Sequence, residues 1–97
     1  MAVAVQMDFK GSMDQYEQVI EQMGFHHEGP GAPGGLFHWV TPTDGGFRVT
    51  DVWADQQTFE QFAQAQIGPL AAEAGLEGPS NLTVMPVHNY LTAGSAQ

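Results

Sequence analysis

Apolar and polar residues alternate in some stretches of this chain and recur at three- and four-residue spacing in others, which divides it into strands and helices. Over residues 2–9, Val3, Val5, Met7 and Phe9 fall on one face and Ala4, Gln6 and Asp8 on the other, the period of a strand. Met13, Tyr16, Val19, Ile20 and Met23 then recur as on a helix, with Asp14, Glu17, Gln18 and Glu21 toward water. Ser12 and Gln15 supply a capping box at its start, and Gly24 a left-handed stop at its end. Residues 36–43 form a strongly apolar strand containing Phe37, His38, Trp39 and Val40. In 47–53, Phe47, Val49, Asp51 and Trp53 point one way and Arg48, Thr50 and Val52 the other. At Asp55, a good N-cap, the period changes, and Phe59, Phe62, Ala63, Gln66 and Leu70 follow at helical spacing. Gly68-Pro69 is expected to interrupt this helix, with 70–75 resuming it before Gly78-Pro79. Residues 81–91 read as the last strand, and Pro86, which has no N–H to give a ladder, puts it at a sheet edge or a bulge.

Between these elements, 25–35 is a Gly/Pro loop and Asp44-Gly45-Gly46 a hairpin signal. The order β-α-β-β-α-β predicts an α+β, ferredoxin-like fold. Right-handed crossovers place both helices on one face of a four-stranded antiparallel sheet of order 4-1-3-2. The other face would then carry Phe37, Trp39 and Val52 uncovered, and a homodimer packed sheet against sheet is the simplest way to cover them. Residues 1–91 are expected to form a single domain and 92–97, small and polar, a disordered tail.

Charge narrows the range of functions. Two basic residues, Lys10 and Arg48, stand against eleven acidic ones for a formal charge of −9, so the cations that nucleic-acid binding requires are missing. Anionic membrane surfaces and large polyphosphorylated cofactors are disfavoured for the same reason. No segment has the apolar length of a membrane span, and the N-terminus shows no basic, signal-like start. The absence of cysteine fits a reducing compartment, and the cytoplasm is the expected location. At 97 residues the chain buries only about two-thirds of its unfolded surface, so a partner subunit would reinforce a thin core.

The chemistry centres on the hairpin. An even-numbered turn across Asp44-Gly45 puts Leu36, His38 and Val40 on the face of Val49, Asp51 and Trp53, with His38 directly opposite Asp51 in the tightest version. That face is the more aliphatic and is assigned to the helix side. A carboxylate that orients an imidazole in an apolar pocket makes a general base. An odd-numbered loop would separate the pair, and even a paired His38 and Asp51 could simply satisfy each other's hydrogen bonds. Tyr16, Trp53 and Phe59 are expected in the pocket wall, although a large aromatic at a strand end such as Trp53 also serves as core. His88 and Tyr90 share a face near the chain's end and would reach either the pocket or a dimer seam. His26-His27-Glu28 reads as a solvated loop rather than a metal site, because adjacent histidines point apart. The glycines of 29–35 match no phosphate loop and are expected to act as a lid.

The order of elements, the run DVWADQQTFEQFAQ and the later IGPLAAEAG resemble the dimeric α/β-barrel superfamily, especially its antibiotic-biosynthesis-monooxygenase branch. The resemblance spans nearly the whole chain and implies two sheets closing into a barrel at a dimer interface, with a cavity in each subunit. It also implies cofactor-independent oxygenation of polyketide-type aromatics, isomerisation, or haem degradation. In the haem-degrading members a Trp lines the pocket where Trp53 stands, together with an Asn late in the first strand and a His on the second helix. Here those regions offer Gln6, Met7 and Asp8, and Gln64 and Gln66, so haem is not favoured and no cofactor is expected. Three readings follow: a cofactor-free monooxygenase, isomerase or cyclase using His38 and Asp51 on an apolar aromatic molecule; a non-catalytic homodimeric binder of such a molecule or of haem; or a dimer whose pocket is filled by its own side chains.

Overall fold

The computed structural model describes residues 1–92 and runs β1 (Val3–Lys10), α1 (Met13–Met23), β2 (Gly35–Thr43), β3 (Gly46–Trp53), α2 (Gln56–Phe62), a π-helical turn (Ala63–Ile67), α3 (Gly68–Glu73) and β4 (Asn81–Pro86). The four strands form one antiparallel sheet of order β2-β3-β1-β4, the ferredoxin-like arrangement. The strictly alternating burial of β1 and β3 sets one face of this sheet against the helices. On that face Val5 and Phe47 are fully covered, and Phe9 stacks on Phe47 with ring centroids 5.3 Å apart.

Local chemistry sets the helix ends. The Ser12 hydroxyl accepts the Gln15 N–H at 3.2 Å and the Gln15 side chain accepts the Ser12 N–H at 2.9 Å, so α1 begins with two of its free donors satisfied. Gly24, at φ 81°, closes it in the left-handed conformation. The Asp55 carboxylate accepts the Thr58 N–H at 2.7 Å and starts α2; this bond holds its carboxyl below the usual range.

Two expected boundaries move. Gly68-Pro69 does not interrupt the second helix. The backbone widens into a π turn in which the Gly68 N–H reaches the Ala63 carbonyl, five residues back. Pro69 then falls in the first turn of α3, directly after the widened turn. The last strand stops at Pro86 rather than at residue 91: Val87 still bonds the Ala2 carbonyl at 2.9 Å, but His88 and Tyr90 lie beyond the ladder. β4 is an edge strand, as Pro86 requires. Of the tail expected over 92–97, residues 93–97 lie outside the described part of the chain.

The sheet face away from the helices is graded. Strand pairing aligns Phe37, Val52, Ala4 and Met85 as an apolar row; Trp39, Thr50, Gln6 and Thr83 as a mixed one; and Thr41, Arg48, Asp8 and Asn81 as a polar one. In the last row Arg48 holds Asp8 through two hydrogen bonds, at 2.7 and 3.2 Å, which keeps the Asp8 carboxyl below its ordinary range. No helix among the described residues is long and apolar enough to cross a membrane.

Candidate active site

The hairpin fixes the site. Thr43 pairs with Gly46 across the two-residue turn Asp44-Gly45, in which Gly45 adopts φ 80°. This even-numbered turn sets the register in which His38 faces Asp51. A bulge at Leu36 lies between the pairs Gly35–Trp53 and Phe37–Val52, just past the site, and the sequence pattern had not shown it.

Both side chains face the helix side, where a cavity of about 820 Å³ separates the sheet from the helices. Its walls include Met7, Val19, Val40 and Phe62, and residues 26–32 border its mouth. One polar line crosses this apolar lining. The Tyr16 hydroxyl lies 2.6 Å from His38 Nε2, and His38 Nδ1 lies 2.6 Å from Asp51 Oδ1. The Trp53 indole N–H donates to Asp51 Oδ2 at 3.1 Å. Four residues from three elements are therefore joined end to end: Tyr16 from α1, His38 from β2, and Asp51 and Trp53 from β3.

Asp51 is the buried member, with its side chain 7% exposed, while that of His38 is 40% exposed and opens onto the cavity. A buried carboxylate is costly unless its oxygens are paired, and here each has a donor. An ionised carboxylate only accepts, so the neutral His38 ring carries its hydrogen on Nδ1 and presents a lone pair at Nε2. Tyr16 supplies the hydrogen to that lone pair. Burial, reinforced by the charges of Glu17 and Asp51, pushes the Tyr16 phenol up to about 12, so it is protonated throughout the neutral range. Its ring is set parallel to that of His38, 6.0 Å away, and edge-on to Phe47.

Of the residues singled out from sequence, Tyr16, His38, Asp51 and Trp53 meet at the cavity. Phe59 does not line it: it is buried behind Trp53, edge to face at 5.8 Å, and supports the indole from the far side. Phe62, one turn later, takes the expected place in the wall. His88 and Tyr90 are exposed and away from the cavity, because the strand that would have carried them inward ends at Pro86. His27 bonds Glu17 of α1 at 2.7 Å, and no cluster of three metal-ligating side chains occurs among the described residues. The Tyr16–His38 bond was not apparent from sequence, which placed Tyr16 in the apolar stripe of its helix and in the pocket wall but gave its hydroxyl no partner. The Trp53–Asp51 bond had a signal, since residues two apart on a strand share a face.

No protein-family model and no curated protein matches the sequence. Solved structures do match. A candidate antibiotic biosynthesis monooxygenase from Chloroflexus aurantiacus superposes with a TM-score of 0.62 at 12% identity, covering 93% of this chain and 97% of that one. This is the fold of the antibiotic biosynthesis monooxygenase-like proteins. SnoaB, a cofactor-independent oxygenase from Streptomyces nogalater, shares it with a TM-score of 0.55 at 22% identity over 93% of this chain and 94% of its own. So does the haem degrader MhuD from Mycobacterium tuberculosis, whose structure has two haems bound in its active site, with a TM-score of 0.50 at 17% identity over 95% of this chain and all of its own. The same fold thus occurs in a cofactor-independent oxygenase and in a haem degrader.

Proposed function

We propose that the chain is a small cofactor-free enzyme that moves a proton on an uncharged, largely apolar molecule held in the cavity, with His38 as base and Asp51 as the group that orients it. The observation that carries this reading is the unbroken line of hydrogen bonds from Tyr16 through His38 and Asp51 to Trp53, set in an otherwise apolar wall. Asp51 holds the tautomer, Trp53 holds Asp51, and the imidazolium formed on proton uptake is stabilised by the carboxylate beside it. Abstraction of an acidic C–H or O–H leaves an anion. It takes the proton back elsewhere, which is isomerisation, attacks an electrophilic carbon of the same molecule, which is cyclisation, or reacts with dioxygen, as a cofactor-independent oxygenase requires.

Electrostatics support a neutral ligand. Neither Lys10 nor Arg48 lines the cavity, and Arg48 is engaged with Asp8 on the opposite sheet face. The same lining suits haem poorly. His38 has both ring nitrogens engaged, His27 is bonded to Glu17, and no lysine or arginine is present to receive propionates. Only His26, exposed at the mouth, remains among the lining histidines. In this reading the active form is a homodimer joined through the graded sheet face. Phe37 and Trp39 stand half-exposed there, and the Thr50 hydroxyl is buried without a partner.

The test uses β-tetralone, a neutral bicyclic ketone with acidic benzylic hydrogens, and follows their exchange for deuterium by NMR in heavy water. The protein should accelerate exchange above buffer, and His38→Gln should lose on the order of 10²-fold of that acceleration. Equal rates for the two proteins remove His38 from the mechanism and leave a binding role for the cavity.

A further inference from the structure

We propose that the Tyr16 hydroxyl, rather than the His38 ring, is the atom that takes the substrate's proton, passing its own to His38 in the same step. The inference rests on the acid–base reading of this cavity and assigns the contact atom within it.

It follows from counting donors and acceptors. Asp51 has both oxygens engaged, Oδ1 with His38 Nδ1 and Oδ2 with the Trp53 indole. With its hydrogen on Nδ1, His38 has one lone pair left, at Nε2, and Tyr16 Oη faces that nitrogen at 2.6 Å. The base therefore offers no vacant position to a ligand. A phenol oxygen that donates its single hydrogen still has its own lone pairs, and Tyr16 is among the residues that line the cavity. Freeing His38 by swinging Tyr16 aside would need a buried ring, packed against Phe47 and parallel to the imidazole, to leave its place. Transfer through the hydroxyl needs no movement of the ring.

The step balances without a further reactant. The substrate C–H bond breaks as an H–Oη bond forms, and the Oη–H bond breaks as an H–Nε2 bond forms. The electron pair of the C–H bond stays on the substrate as an enolate, and Asp51 stabilises the imidazolium. Reversal returns a proton to the same carbon or to another. The His38 side chain is 40% exposed, and exchange of the transferred proton with solvent is what the deuterium assay reads.

The β-tetralone exchange assay separates the two routes because they predict opposite signs for Tyr16→Phe. Through the hydroxyl, removing the oxygen cuts the path, and the acceleration should fall on the order of 10²-fold, as in His38→Gln. The double variant should then be no worse than either single one, since both lie on one path. With direct attack by His38, Tyr16→Phe instead uncovers Nε2 and leaves the rate equal or raised. That result, with His38→Gln still impaired, overturns the Tyr16 assignment while sparing the acid–base reading. A wild-type rate no better than buffer, or an unimpaired His38→Gln, overturns both. A measurement on the unaltered protein guards against a variant that misfolds. Nitrogen NMR of the His38 ring should show hydrogen on Nδ1 and a hydrogen-bonded acceptor at Nε2. Finding the hydrogen on Nε2 overturns the assignment.

Discussion

Asp51 is a carboxylate inside an apolar wall, and its placement works only because the neighbouring side chains supply hydrogens to both of its oxygens. Converting it to Asn replaces one acceptor with a donor that faces a ring or indole hydrogen. The Asp51→Asn protein is expected to lose about 1–3 kcal/mol in urea denaturation, the usual penalty for an unsatisfied buried polar group. Removing the indole donor with Trp53→Phe should act in the same direction while keeping most of the packing against Phe59 and Phe62. Tyr16 makes the fold sensitive to strong alkali. An unfolded phenol titrates near 10 and the folded one at about 12, so between those values the native state binds more protons than the unfolded one. The contribution is complete below pH 10 and disappears as pH rises through 12. The stability of Tyr16→Phe, followed by denaturation across that window, should lack this decline.

At the scale of elements, the β2–β3 hairpin decides whether a site exists, since a slip by one residue would carry His38 to the other sheet face. Gly46 is part of that control. A Cβ there would overlap the Phe9 carbonyl of β1, which passes directly against it. Gly46→Ala should therefore cost about 3 kcal/mol or more, or fail to fold, as read by circular dichroism on heating. Ser12→Ala, which removes only the cap of α1, should cost about 1 kcal/mol in the same measurement. These elements also mark how far the sequence could be read. Asp44-Gly45 specifies a short turn, and alternation in β1 and β3 specifies which face is buried, so the pairing of His38 with Asp51 was legible in advance. Tyr16 was legible as a buried helical residue but not as a partner of His38, because that contact depends on the height and rotation at which α1 crosses the sheet. The π turn before Gly68-Pro69 was hidden for a related reason. A proline states that one donor is missing, not whether the helix will stop or widen around it. The end of β4 at Pro86 was the milder case, because apolar residues continue past the point where the ladder stops.

Across the whole molecule, the two basic residues are kept apart from the cavity. Arg48 is turned to the far sheet face and Lys10 ends β1, so a net-acidic chain presents no cation to a ligand within the cavity. In titration calorimetry at neutral pH, β-naphthol should bind more tightly than β-naphthoate, a ring system of the same size carrying a carboxylate; equal affinities would contradict a neutral-ligand site. The opposite face joins Phe37, Val52, Ala4 and Met85 into one strip across all four strands. The proposed homodimer should fall to monomers in light scattering when a charge is placed in this strip with Phe37→Asp. The strand alternation that separates the two faces has an optical consequence as well. The chain's two tryptophans fall on opposite faces, Trp53 buried at 3% exposure beside Asp51 and Trp39 46% exposed on the outer face. Their emission should differ in colour, blue for the first and redder for the second. With Trp39→Phe the remaining fluorescence reports the buried indole beside Asp51, and with Trp53→Phe it reports the exposed indole of β2, so a single instrument can follow the two environments separately.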